Sequence, residues 1–166
     1  TDLYQEWQSL IGDKNIPDSA VTAGQHIKLE GGLEFVVLNP IDTSTVDTNL
    51  ASVVLSLTWG DMSFLFTGDL PLEGEMELIY RRLLPDTTVL KVAHHGSGGS
   101  SSAAFLSVSR PELAVIPVGK NTYGHPKEEV VAALESICLE EGVYRTDMSG
   151  TVTFLTDGRT LWLKTG

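Results

Sequence analysis

The stretch MSFLFTGDLPLEGEMELIYRRLLPDTTVLKVAHHGSGGSS, residues 62–101, decides the fold. It opens on an apolar β run that stops at Gly68–Asp69, and continues into a helical pattern over 71–84. It then returns to a short apolar run, TVLKVA (88–93), that stops at His94–His95. Within the helical part, Met76, Ile79, Tyr80 and Leu83 recur at the spacing of one helix face. A strand, a helix and a second strand, each strand ending in a polar motif, is the pattern of an open α/β sheet. Such sheets collect ligands beyond their carboxyl ends, where diverging loops leave a crevice.

Working outward, ASVVLSLTW (51–59) pairs with 62–68 across Gly60–Asp61, and HIKLE (26–30) pairs with EFVVLN (34–39) across Gly31–Gly32. Between these hairpins, PIDTSTVDT (40–48) reads as a polar loop. Residues 3–12 space Leu3, Trp7 and Leu10–Ile11 as a helix, with Gly12 as its stop. Downstream, 101–109 reads as a short helix and LAVIPV (113–118) as a strand. Residues 126–142 read as a helix with Pro126 at its first position and Gly142 at its end. A final hairpin joins 151–155 to 160–164 around Asp157–Gly158. Hairpins, then alternating strands and helices, then a hairpin, give an α/β (α+β) class with sheets packed inside helical layers. The length suits one domain over 1–166, and the opening helix with its early strands reads as cut from something larger.

Composition narrows the chemistry. The chain has 42% hydrophobic residues and a net charge of −11, from 22 acidic against 11 basic side chains. Such a surface is poor at tracking a polyanion by counterion release, so nucleic-acid chemistry needs local positive charge from a metal or a partner. One cysteine, Cys138, excludes an internal disulfide and a cysteine-rich zinc module; a buried, inert thiol suits its helical setting. No apolar run reaches the ~20 residues of a membrane helix, and the N-terminus lacks a signal-peptide pattern, so a soluble domain is expected.

Three strand ends carry the candidate residues. At FLFTGDL (64–70), Asp69 suits either a carboxylate bridging two cations or a helix cap ahead of 71–84. At LKVAHHGSGGSS (90–101), one of His94 and His95 can reach inward while the other orients a ligand. Ser97–Ser102 with free amides suit a phosphate cradle, and the alternative is a surface linker. Lys91 points to the face opposite Leu90 and Val92, as a groove residue or a solvated strand lysine. At VGKNTYGHPKEE (118–129), His125 sits at the helix N-cap as a ligand or proton shuttle, with Asn121, Tyr123 and Gly124 shaping the turn. His26 reads as structural; Asn49 suits positioning a neighbouring loop, and Arg145–Thr146–Asp147 holding a ligand or pairing across the hairpin, with a structural role the commoner alternative for both.

The order DTNLASVVLSL, FLFTGDL, LKVAHHGSGGSS, VGKNTYGHP, YRTDMSGTVTF and TDG resembles the metallo-β-lactamase-like domain of ComEC competence proteins over nearly the whole chain. The resemblance implies an αββα sandwich whose N-terminal part lies outside this chain, with a hydrolase centre holding two zinc or manganese ions. It implies a bridging metal ligand at Asp69, at least one ligand from the pair His94 and His95, and at His125 either a ligand or a phosphate-contacting acid. Catalytic roles fall on His125 and Lys91, and Ser97 and Asn121 line the substrate groove. The implied partners are DNA and the rest of a membrane-embedded competence protein in the bacterial plasma membrane, with no cofactor nucleotide. The implied activity is hydrolysis of one DNA strand; a small phosphoester or other ester hydrolase and a non-catalytic module of a DNA channel are the rivals. The family's HxDxDH-type cluster is absent, so the chain alone is expected to bind metal weakly or not at all and to be inactive. Leu50 also departs from a second asparagine common in the family.

Overall fold

A computed structural model describes residues 2–45 and 47–166; Thr1 and Val46, which fall in the expected domain span and in the expected loop 40–48, lie outside it. Strands β1 (His26–Lys28), β2 (Glu34–Asn39), β3 (Val54–Trp59), β4 (Met62–Phe66), β5 (Val89–Lys91), β6 (Leu113–Ile116) and β7 (Val143–Arg145) form one seven-stranded sheet in sequence order. β1 to β4 pair antiparallel through hairpins, whereas β4, β5, β6 and β7 run parallel. Parallel neighbours need crossovers. These run through α2 (Leu72–Tyr80), α3 (Ala103–Ser109) and α4 (Glu128–Glu135). Two strands, β8 (Val152–Thr156) and β9 (Leu161–Thr165), make a separate hairpin sheet, and a single turn, α5 (Thr146–Ser149), leads into it. The architecture is mixed α/β, consistent with an α+β sandwich.

Side-chain alternation splits the large sheet into two unlike faces. Register aligns Val36, Ser56, Leu65, Leu90, Ala114 and Val143 on one face. There Leu65, Leu90 and Ala114 join Leu78, Phe105, Leu106, Val130 and Leu134 from the three helices in a continuous core. The opposite face carries Leu57, Phe64, Phe66 and Val115 above an apolar groove of about 640 Å³. The β8–β9 hairpin borders that groove through Val152, Phe154 and Thr156. Phe64 meets Phe154 edge-to-face at 6.5 Å, and Asp61 N donates to Gly158 O at 2.7 Å.

Several elements depart from the sequence reading. α2 turns a different face inward than expected: Gly74, Glu75 and Leu78 are buried while Met76 and Tyr80 are exposed. Leu70 and Leu78, both fully buried, set that phase against the sheet. α4 starts two residues later than Pro126 and ends at Glu135. Leu139 N donates to Glu112 O, which turns the chain away before Gly142. α1 (Asp2–Asp13) runs past Gly12 and buries none of its residues, so Leu3, Trp7 and Leu10 face solvent.

The two sheets meet at Gly60, which has φ +57° and whose absent Cβ would fall on the backbone of Gly158. Gly60→Ala is expected to destabilise the chain by about 1–3 kcal/mol, through backbone strain and loss of hairpin docking. Urea unfolding measures the loss, and disappearance of the Phe64–Phe154 ring contact in NMR localises it.

Candidate metal centre at the strand ends

Parallel pairing brings the ends of β4, β5, β6 and β7 to one edge, and the candidate residues leave from it. After β4, Thr67 Oγ1 donates to Lys91 O at 2.6 Å, and Gly68 turns with φ +56°. Gly68 packs so close to Ser52 that a Cβ would meet its side chain at 3.0 Å, and Asp69 N donates to Ser52 Oγ at 3.1 Å. The Ser52 loop is held in turn by buried Asn39, whose Nδ2 donates to Leu50 O and Ser52 O. The helix-cap alternative for Asp69 does not apply: α2 begins after Pro71, without a side-chain cap.

After β5, His94 and His95 both adopt left-handed backbone, at φ 47° and 55°. Two consecutive non-glycine residues in that region store strain and persist only where their surroundings over-determine them. His94 N donates to Gly68 O at 3.1 Å, tying this turn to the Asp69 turn, and Lys127 N donates to Gly96 O at 2.9 Å, tying it to the His125 segment. A Cβ at Gly96 would meet Pro126 Cβ at 2.5 Å, so the two segments touch directly. The histidine segment is a pinned turn, not a surface linker.

His95 Nδ1 lies 2.5 Å from Pro117 O. A carbonyl oxygen only accepts, so Nδ1 carries the hydrogen, and Nε2 is the ring nitrogen left to face a ligand. That atom stands 4.0 Å from Asp69 Oδ1. The His94 ring lies 6.5 Å from His95 and 5.9 Å from His125, centroid to centroid. His125 stacks on Tyr123, and its Nδ1 is buried with no hydrogen-bond partner among the described residues. Burial first, then the neighbouring His94, Lys127 and His95, lower its pKa, so the ring is neutral near pH 7. The helix N-cap is Lys127, not His125, because the chain stays extended through residue 127.

Supporting residues are spoken for in different ways. Asn121 is spent on its own loop: Nδ2 donates to Gly119 O and His125 O, and Oδ1 accepts from Tyr123 N and His125 N. Ser97 Oγ accepts from Gly99 N. Lys91 does point away from Leu90 and Val92, into the apolar groove. Burial there lowers its pKa, against the opposing pull of Asp69. The phosphate cradle expected at 97–102 is not available. Ser100 N donates to Ser97 O, and the Ser101 and Ser102 amides turn inward to the carboxylate of Glu75. Thr146, between Arg145 and Asp147, donates its hydroxyl to Val118 O and accepts from Val118 N, which steadies the start of the His125 loop.

A tetrahedral zinc wants bonds near 2.0–2.3 Å to four ligands, or to three plus water in a catalytic site. Donor types at this edge are those a divalent cation takes, and the nearest pair, Asp69 Oδ1 and His95 Nε2, stands 4.0 Å apart. Among the described residues, however, no three donors converge closely enough to hold a metal. As placed here, the described residues do not by themselves form a metal site.

Two outcomes follow. Gly96→Ala, with φ +80° and the Pro126 contact against it, is expected to cost about 1–3 kcal/mol and to part the His94 and His125 rings; thermal unfolding and ring-to-ring NOEs read both. Cys138 is half-buried, and burial pushes its thiol up from 9.0 to about 11. At pH 8 it should react with iodoacetamide about a hundredfold more slowly than a free cysteine, and normally once urea is added.

No family model matches this chain. It is 39% identical over 125 residues to ComE operon protein 3 of Bacillus subtilis (strain 168), which covers 74% of this chain and 16% of that protein. It is 36% identical over 154 residues to competence protein ComA of Neisseria gonorrhoeae, covering 84% and 22%. It is 37% identical over 122 residues to recombination protein 2 of Haemophilus influenzae, covering 73% and 15%. The chain thus spans between 15% and 22% of the length of these relatives. Over that span, it belongs to the ComEC family of competence proteins, as the counterpart of one segment of them.

Proposed function

We propose that this chain supplies part of a metal-dependent phosphodiester hydrolase centre in a DNA-uptake protein. The observation that carries the proposal is the convergence of Asp69, His94, His95 and His125 on one edge of a parallel sheet, around the 4.0 Å Asp69–His95 pair. A strained histidine pair, a ring with its tautomer set by a carbonyl, and a neutral histidine with an unpartnered buried nitrogen are what a ligand-binding edge needs. The names of the competence relatives support the DNA-uptake setting.

Within that centre Asp69, His94, His95 and His125 are the ligands this chain contributes. Those residues would hold a divalent cation, which would contribute Lewis-acid activation of water and neutralise charge on the phosphate. The lowered pKa of His125 favours its neutral, ligating form over a proton-donating one. Lys91, half-buried beside Asp69, offers the phosphate a positive charge in a chain of net charge −11. That acidity also means the strand is delivered by other parts of the parent protein. The groove on the second face of the sheet supports a metallo-β-lactamase-like αββα arrangement, in which another sheet covers Leu57, Phe64 and Phe66.

Calorimetric titration of the chain with zinc or manganese is expected to show weak binding or none. Tight uptake of two ions, with nuclease turnover, would refute the incomplete site. In the full-length parent, Asp69→Ala and His95→Ala should each lower metal content and DNA hydrolysis. The loss should exceed the roughly ten- to hundredfold that removal of a ligand-orienting group costs. Unchanged metal content and hydrolysis would leave a non-catalytic binding module.

A further inference from the structure

Glu75 is 1% exposed, in a helix whose other acidic residues face outward. A buried carboxylate without a cation is costly, and it survives where N–H donors replace its water. Here the donors come from the far end of the histidine segment: Ser101 N and Ser102 N donate to the two oxygens of Glu75. The same helix grips the segment again at its start, where Leu72 N donates to Gly99 O at 2.9 Å.

From the carboxylate, a short chain of bonds leads back to the histidines. Ser100 N donates to Ser97 O at 3.2 Å, and Ser97 N donates to His94 O at 3.0 Å. Left-handed backbone marks both ends of this stretch, at His94 and His95 and again at Ser101 with φ 56°. Among the described residues, the hydroxyls of Ser100 and Ser101 are buried without hydrogen-bond partners. Such geometry is held only by restraints at both ends. The β-sheet and Lys127 restrain one end, and Glu75 restrains the other.

We propose that Glu75 is a positioning residue, which sets the His94–His95 turn by filling the amide hollow of residues 101–102. The inference rests on the reading of these histidines as working groups, but its geometry requires neither metal nor substrate. Glu75→Gln keeps the shape but presents an amide nitrogen to one of two backbone donors, and it removes the negative charge.

The test is the ring ¹⁵N–¹H spectrum of the whole chain at fixed pH. In Glu75→Gln the His94 and His95 signals should change tautomer balance and broaden, while those of His26, on β1, stay put. Glu77→Gln, which removes the exposed partner of Arg81 from the same helix, should leave all of them unchanged. Unchanged His94 and His95 signals in Glu75→Gln would overturn the proposal. Should that variant fail to fold, hydrogen exchange on the unsubstituted chain decides the matter. The Ser97, Ser101 and Ser102 amides should exchange as one unit, at least about tenfold more slowly than the exposed Gly98 amide. Independent opening of Ser97 from Ser101 and Ser102 would overturn it. Altered rings in Glu75→Gln, with no metal or activity in the parent protein, would sink the hydrolase reading and leave the positioning role standing.

Discussion

Side-by-side parallel pairing of β4, β5, β6 and β7 is the constraint from which the rest follows. A parallel ladder forces every strand to end at the same edge, so Asp69, His94, His95 and His125 lie together although the last is 56 positions beyond the first. The crossovers place all three helices on one face, which buries a continuous apolar core there. The other face is left to a small hairpin and an aromatic groove. The site therefore sits where a well-packed half of the molecule borders a thinly covered one.

Much of this was legible in the residues. Apolar runs of strand length, broken at Gly68–Asp69, His94–His95 and the Gly119–Pro126 segment, located the edge and its side chains. The hairpins at Gly60–Asp61 and around Asp157–Gly158 followed from turn chemistry. What escaped was tertiary. The face of α2 was misread because Leu70, lying outside the helix, and Leu78 set its phase together, and local periodicity over Met76 and Tyr80 carries no information about that. The start of α4 was misplaced because Pro126 suits a first helical turn on local grounds, while its contact with Gly96 holds it in the loop.

Two supporting residues illustrate the same limit. Asn49 drew notice as a loop-positioning amide, yet the amide that ties this region together is Asn39, at the end of β2. Glu75 gave no signal in a glutamate-rich helix, since only the approach of the serine loop makes it different from Glu73 or Glu77. In the same way, the serine and glycine content of 97–102 suggested an anion cradle. The anion it receives belongs to the chain itself.

Gly96 and Pro126 also constrain how this edge can be altered by evolution or by design. Because the two residues touch with no room for a methyl group, the histidine turn and the His125 loop behave as a single interlocking part. A side chain larger than glycine at 96 would meet the Pro126 ring, so a change on one side of the contact requires a matching change on the other. Successful chimaeras should therefore exchange residues 94–96 and 119–127 together.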